Sequence, residues 1–349
     1  MSVLVAAQYF AHGSGGIADV ARLSASALLA RADTSALACM EASDFTSEGV
    51  PVRGFAGART RFLASLAWRA RRASHVLFDF AGTARAQPLL LGSRARTALW
   101  VHGCEAWRDP PAKYVNAIRR ADLLLVNSLH TRTRAAAAIG ESRDVRICAL
   151  ATASDESPAH IGPSDGPPVV LLLGRIDEAL AKGHDVLVDI WPKIAEAVPG
   201  ARLVFAGGGT RVEAVRALAS ASPAAASIEV LGHVAEADLD ALWRRASLFA
   251  MPGFEEGFGL VYAEAMRRGL PVIASLEDAG QEVNEDGVTG HNISIRAKAE
   301  MTDAIVALLR DPDRARAMGL AGNARWARLY RRSCFNERFL AATQEFLAG

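Results

Sequence analysis

The chain is short of cysteine, lysine, aromatic residues and long apolar runs, and each shortage removes a class of function. Its four cysteines, Cys39, Cys104, Cys148 and Cys334, are scattered, with no C-x-x-C pair and no histidine at metal-ligand spacing. That argues against a disulfide scaffold or a structural zinc site, predicts no bound metal, and fits reduced thiols in a cytoplasmic protein. Aromatic residues are only 7% of the chain and form no row interleaved with basic ones, so nothing supports nucleic-acid binding. No apolar stretch reaches the ~18 residues that a membrane span needs, and no basic region precedes the first apolar run, so no leader is expected. Lysine occurs four times among 39 basic residues, at Lys113, Lys182, Lys193 and Lys298, which makes each one worth inspecting.

What is present is an alternation. Short β-branched or leucine-rich runs (SVLVAA, SALACM, HVLFDF, TALWVH, DLLLVN, VRICAL) are separated by alanine-rich helical stretches. This is the pattern of a parallel sheet covered by helices on both faces. A second alternation (PVVLLLG, ARLVFAG, SIEVLG, SLFAMPG, LPVIAS) follows the segment ATASDESPAHIGPSDGPP, which has no apolar period and reads as a linker. With 349 residues the chain is long enough for two domains. Residues 1–158 are expected to form the first and 166–325 the second, with 326–349 a long amphipathic helix packing back on the first. Residues 1–160 carry a net charge of +6 and the remainder −5, which suggests different partners for the two halves.

The opening stretch VLVAAQYFAHGSGGIADVARL runs from a strand through glycines into a helix. Gly13, Gly15 and Ala18 match a dinucleotide-binding G-x-G-x-x-G/A pattern, and Glu41 closes the next apolar run, where an acidic residue could take a ribose hydroxyl. The spacing objects to that reading. The fingerprint puts its first glycine at the strand end, and Gln8 to His12 intervene.

A more informative stretch is MPGFEEGFGLVYAEAMRRGLPVIAS. A strand ends near Met251, a loop with Gly253, Gly257 and Gly259 follows, and a helix is expected from about Phe258 to the C-capping Gly269. Free amides at a helix start can hold a diphosphate. Glu256 lies at the helix mouth and Glu264 about six residues into the helix, suited to the hydroxyls of one extended ligand.

The E-x7-E of Glu256 and Glu264, within EGFGLVYAEAM..GLPVIA, resembles the signature of retaining, nucleotide-sugar-dependent glycosyltransferases of family four. LLLGRIDEALAKGHDVLV resembles that family's G-R…K-G segment, with Arg175 and Lys182. The resemblance implies an α/β protein of GT-B architecture, two Rossmann-like doubly wound domains facing a central cleft. The amino-terminal domain would bind the acceptor and the carboxyl-terminal domain the nucleotide sugar. It assigns Glu256 to the transferred sugar, Glu264 to the ribose and Arg175 with Lys182 to the diphosphate, beside the Phe258, Gly259 and Leu260 helix start. ALWVHGCEAWRD resembles the H-G-x-E segment and places His102 near the sugar. RRADLLLVNSLHTRTRA resembles the segment that ends in an exposed serine, Ser128. Gly15 and Gly16 become an active-site wall rather than a dinucleotide cradle. One departure stands out: after PVIAS the family has a glycine pair near the donor sugar, and this chain has LEDAGQEVNEDGVTG, with Gly280 alone and Glu282 close behind.

The implied activity is transfer of a hexose, without metal or cofactor, from a nucleoside diphosphate sugar of the GDP-mannose or UDP-glucose type. The acceptor is a sugar or lipid-linked hydroxyl in bacterial polysaccharide or glycolipid synthesis. A nucleotide-sugar epimerase, a phosphorylase or a non-catalytic sugar-nucleotide binder of the same fold are the alternatives. The stretch VRGFAGARTRFLASLAWRARRASHVLF has no acidic residue, and on a helix from about Thr60 its Phe62, Leu66 and Arg69 share a face, with Arg71 and Arg72 close by. Two readings remain open: a peripheral contact with an anionic membrane on its inner face, or a packed helix whose arginines are solvated.

Overall fold

A computed structural model describes residues 1–90, 92–107, 110–139, 144–177 and 181–348. The chain divides into two compact units, Met1–Ala153 together with the segment from Arg332 onward, and Ser154–Arg331.

Among the described residues, the first unit is built on eight strands: β1 (Ser2–Ala7), β2 (Asp33–Ala38), β3 (Phe45–Ser47), β4 (Val50–Gly54), β5 (His75–Phe78), β6 (Arg96–Val101), β7 (Leu123–Val126) and β8 (Val145–Ile147). Their order is β3-β4-β2-β1-β5-β6-β7-β8, parallel throughout except for β3 against β4. Central strands such as β1 and β7 are apolar without alternation because helices cover both faces. The β3–β4 hairpin is not legible as strands from pattern alone, since its runs are short and polar. It forms because Glu48 (φ 52°) and Gly49 (φ 84°) both take left-handed backbone, the geometry of a two-residue hairpin turn.

The helix Arg59–Ala70 settles how its arginine-edged stripe is used. Phe62 (4% exposed) and Leu66 (0%) face inward, and Phe62 meets Phe55 edge-on at 5.5 Å. The stripe therefore faces the core, as in the packed-helix reading, and Trp68 (56% exposed) points away from it with the Arg72 guanidinium 4.2 Å over its ring.

The expected long terminal helix is two helices, Pro312–Leu329 and Arg332–Ala348, because Tyr330 leaves helical geometry (φ −122°, ψ 17°). The second belongs to the first unit, so the chain changes unit at Arg332 rather than at 326. Aromatic packing holds it there: Phe335 and Phe339 stack on Trp100 at 6.3 and 6.1 Å, and the Phe346 carbonyl accepts from Arg96 and lies 2.8 Å from His75 Nε2.

The second unit carries β9 (Val169–Leu173), β10 (Arg202–Ala206), β11 (Ile228–Gly232), β12 (Leu248–Ala250), β13 (Val272–Ser275) and β14 (Gly290–Ile293), all parallel, in the order β11-β10-β9-β12-β13-β14. The direction of winding reverses between β9 and β12, and in the first unit between β1 and β5. Doubly wound sheets bind ligands outside the strand ends at such a reversal.

The glycine loop after β1 is tied down by charge. Glu41 Oε1 accepts the amides of Phe10 (2.7 Å) and Ala11 (2.9 Å), Arg22 donates to the carbonyls of the same two residues, and Asp79 Oδ2 accepts the Gln8 amide at 2.7 Å. Glu41 thus spends one carboxylate oxygen on the chain's own backbone where a dinucleotide fold would offer it to a ribose. Glu41→Ala is expected to lower stability by ~1–3 kcal/mol, the cost of orphaning amides that bonded a charged acceptor, measurable by denaturant unfolding.

Candidate functional site

In the second unit, the reversal between β9 and β12 gathers a half-buried ion pair. The segment after β9 passes through Gly174, over which the Lys182 stem lies so closely that a Cβ would stand 2.6 Å from Lys182 Cδ. Gly183 follows in left-handed backbone (φ 83°) and caps the helix His184–Ala197. The loop after β12 is laced to this segment, with the Phe254 amide donating to the Ala181 carbonyl at 2.9 Å. Lys182 Nζ thereby meets Glu256 Oε2 at 2.5 Å.

Glu256 Oε1 accepts the Gly259 amide at 3.1 Å, so one carboxylate both pairs the lysine and closes the helix mouth. Burial pushes the Glu256 carboxyl up, but the Lys182 charge and the Phe258 and Gly259 amides outweigh it and hold it below its usual range. Burial likewise pulls Lys182 down, and Glu256, Asp278 and Asp177 more than restore it. Both groups are ionised near neutral pH.

The helix opens at Leu260, two residues later than expected, because Gly259 takes left-handed backbone (φ 83°) and cannot be its first turn. It ends at Arg267, with Gly269 (φ 68°) beyond. Half-buried Glu264 therefore sits one turn in, ~6 Å along the axis rather than ~9 Å. Phe258 is buried edge-on against Tyr330, and Leu260 is half-buried. Arg175 does not join the pair: its side chain is 79% exposed and binds Asp177 at 3.0 Å. Glu178 to Leu180, within the same motif, lie outside the described residues.

Two buried side chains at this reversal went unnoticed in the sequence. His184 is enclosed against Phe205, and burial first, then Lys182, pushes its pKa down to about 4, so it is neutral. Asp278 is 0% exposed. The missing glycine pair was the available signal for Asp278.

In the first unit, His102 follows β6, and its ring stacks on Trp100. Its Nε2 lies 2.8 Å from the Asp79 carbonyl and its amide donates to Glu105 at 2.5 Å. Burial holds its pKa below the usual histidine value, against the Glu105 charge. Asp79, at the end of β5, is buried, and burial pushes its pKa up to about 7 despite the Thr83 hydroxyl at 2.5 Å and the Gln8 amide. It lies within the run HVLFDF, and nothing local in the sequence marks it as a buried carboxyl.

Ser128 is not exposed. It is buried, and its hydroxyl accepts the Thr131 amide at 2.9 Å, capping the helix Leu129–Ile139. Gly15 and Gly16 are exposed where the helix Gly16–Leu28 begins. Gly13 (φ 76°) and Gly15 (φ 98°) need left-handed freedom rather than space, since a Cβ on either would touch nothing within 4 Å. Arg108 and Asp109 of the His102 segment lie outside the described residues.

Residues 167–311 match the family described as glycosyl transferases group 1. Over 268 residues the chain is 34% identical to the GDP-mannose-dependent alpha-(1-6)-phosphatidylinositol monomannoside mannosyltransferase of Mycobacterium tuberculosis, covering 68% of each chain. The chain belongs to the group 1 glycosyltransferases. The glycosyltransferase is also 38% identical over 162 residues to the phosphatidyl-myo-inositol mannosyltransferase of Mycobacterium leprae, covering 46% of this chain and 42% of that one.

Solved structures agree on the fold. Anabaena HepE in complex with UDP and glucose superposes with a TM-score of 0.81 at 18% identity, covering 100% of this chain and 99% of that one. Sucrose-phosphate synthase of Thermosynechococcus elongatus gives 0.82 at 16%, covering all of both. The fold of the glycosyltransferase is GT-B, built of two doubly wound α/β units. With Glu41 committed to the glycine loop, the dinucleotide reading of that loop is set aside. Among the described residues, no helix is long and apolar enough to cross a membrane.

Proposed function

We propose that this glycosyltransferase moves a hexose, with retention and without a metal, from a nucleoside diphosphate sugar to a hydroxyl of a glycolipid head group. GDP-mannose is the first donor to test, because the curated relatives named above include a GDP-mannose-dependent enzyme acting on a phosphatidylinositol mannoside. The observation that carries the reading is the half-buried Lys182–Glu256 pair at a helix mouth on the sheet reversal. Cleaving a glycosyl-diphosphate bond builds negative charge on the departing phosphate. A lysine and the helix-start amides beyond the one that Glu256 takes stabilise that charge as it develops.

Lys182 takes the diphosphate, with Arg175 at its outer side. Glu256, released from Lys182, takes a hydroxyl of the transferred sugar, and Glu264 takes the ribose. Phe258, Gly259 and Leu260 supply the helix-start wall. His102, Gly15 and Gly16 are assigned to the sugar and acceptor side on the resemblance. In the front-face step, the bond from the anomeric carbon to the phosphate oxygen breaks as the bond to the acceptor oxygen forms. The acceptor proton passes to the departing phosphate. The protein's share is orientation and charge stabilisation. Whether the enzyme works on an anionic membrane surface rests on the outward face with Trp68, Arg61 and Arg72. Salt-sensitive binding to anionic vesicles, lost when these arginines become glutamine, is the expected result.

The deciding experiment supplies GDP-mannose and, in parallel, UDP-glucose, with and without a phosphatidylinositol mannoside acceptor. Nucleoside diphosphate should appear only with acceptor present, turnover should survive a chelator, and the new linkage should keep the donor's α configuration. A β product overturns retention, and acceptor-independent release overturns transfer. Glu256→Ala should impair use of the intact sugar nucleotide while changing affinity for free nucleoside diphosphate little. Equal loss of both would make Glu256 structural.

A further inference from the structure

The loop where the family resemblance leads one to expect two glycines places a carboxylate, Asp278, beside the donor pair. Asp278 is fully enclosed. Its Oδ1 accepts the Gly280 amide at 2.8 Å, while Oδ2 accepts no hydrogen bond from any described residue. The neighbouring backbone makes room for it: a Cβ on Gly253 would stand 3.0 Å from Oδ2, and one on Gly280 2.9 Å from Oδ1. The same loop is tied to the donor pair, since the Ala279 amide donates to the Glu256 carbonyl at 3.1 Å. Enclosed Asp278 and half-buried Glu256 thus share the field of one half-buried cation, Lys182.

We propose that Asp278 is a positioning residue of the donor site, which takes up a proton when the donor diphosphate engages Lys182. The inference rests on the assignment of Lys182 to the diphosphate. Lys182 cannot neutralise two carboxylates and a diphosphate together, and a second unpaired charge in an enclosed site is costly. Both carboxylates keep one backbone amide, Gly259 on Glu256 and Gly280 on Asp278, but Asp278 is the fully enclosed one and its Oδ2 has no hydrogen-bond partner among the described residues, so the proton goes to Asp278. A neutral Asp278 then leaves Glu256 as the only negative side chain of the three, free to receive a sugar hydroxyl.

Among the described residues, the charged and titratable neighbours are few. Lys182 faces Asp278, with Asp177 behind it and His184 alongside, neutral. Glu256 faces it from the loop after β12, and Tyr262 from the helix Leu260–Arg267, with its hydroxyl bound to the Met251 carbonyl. Within the loop, Glu277 is occupied by the hydroxyls of Ser275 and Ser294 and the Ile295 amide.

Before donor arrives, burial holds Asp278 at about 7, with Glu256's charge adding to the shift and the Gly280 amide, Lys182 and, least, the Glu256 amide opposing it. Losing Lys182 to the diphosphate raises it further. Below pH ~7 the carboxyl is already neutral, and affinity should be flat. Above it, each binding event takes up a proton, and affinity should fall by up to about tenfold per pH unit.

The test is calorimetric titration of the intact enzyme with GDP-mannose and with UDP-glucose, whose diphosphate diesters do not titrate near neutrality, in two buffers of different ionisation enthalpy at pH 7.5–8.5. Wild type should take up a substantial fraction of one proton. Asp278→Asn, checked for folding by its melting curve, should take up none and bind with a flat pH profile, and Asp278→Glu should restore uptake. Binding by wild type without uptake overturns the proposal with no need of a variant, and undiminished uptake in Asp278→Asn moves the proton to Glu256 and overturns it equally. If neither nucleotide binds, or binding is indifferent to Lys182→Ala, it is the donor-site assignment that fails, and with it this inference.

Discussion

Lys182→Ala is expected to lower turnover ~10²-fold or more while weakening donor binding much less. The lysine's charge is matched to a phosphate that becomes more negative as the glycosyl bond breaks, so its contribution is larger in the transition state than in the bound donor. The substitution also strips Glu256 of the cation at 2.5 Å that keeps it ionised, so its carboxyl should titrate higher. Arginine is not an adequate replacement. The lysine stem runs across Gly174 in a space that admits no Cβ, and a guanidinium fork is wider than an ammonium point charge. Arg175→Ala should cost far less than Lys182→Ala, because that guanidinium is largely in water and paired with Asp177. Steady-state kcat and donor Kd for the three variants check this ordering. Wild-type turnover in Lys182→Ala would remove the lysine from the chemistry.

Gly183→Ala should be the most damaging small substitution at the site. Left-handed backbone costs an L-residue ~1–2 kcal/mol. The added Cβ would also stand 2.2 Å from the Pro252 carbonyl oxygen, a backbone atom that no rotamer change can move aside. The loop after β12 must then shift, and it carries Glu256. A loss of ~2–4 kcal/mol in stability is expected together with a fall in turnover. Gly200→Ala is the control, since Gly200 has almost the same φ (86°) but open space around the Cβ position. It should show only the conformational part of the cost and keep its activity. Equal effects of the two substitutions in denaturant unfolding would mean that the Pro252 contact relaxes freely.

Much of the architecture was legible along the chain, because its signals are local. Apolar runs of strand length alternating with helical stretches specify doubly wound sheets, and a glycine-rich strand–loop–helix marks where an anion site can form. The segments holding Lys182 and Glu256 could be named on those grounds together with the resemblance. Elements whose stability comes from neighbours escaped this reading. The β3–β4 hairpin lies in a short polar stretch, and β14, Gly-His-Asn-Ile, forms by pairing with β13 rather than by propensity.

By itself the sequence determined the alternation of strands and helices, the glycines where left-handed backbone is needed, and the residue types available at each strand end. Tertiary structure alone decided which of those residues meet. It pairs Lys182 with a glutamate 74 positions away and leaves Arg175 with Asp177, two positions along. It turns Phe62 and Leu66 inward, buries Ser128 as a helix cap, and commits Glu41 to the backbone of its own loop. It also encloses Asp79 and Asp278, whose titration depends on burial. Periodicity and capping act over a few residues and can be read in order. Burial and charge partnership depend on which strand ends the parallel pairing brings side by side, and that is a property of the folded sheet.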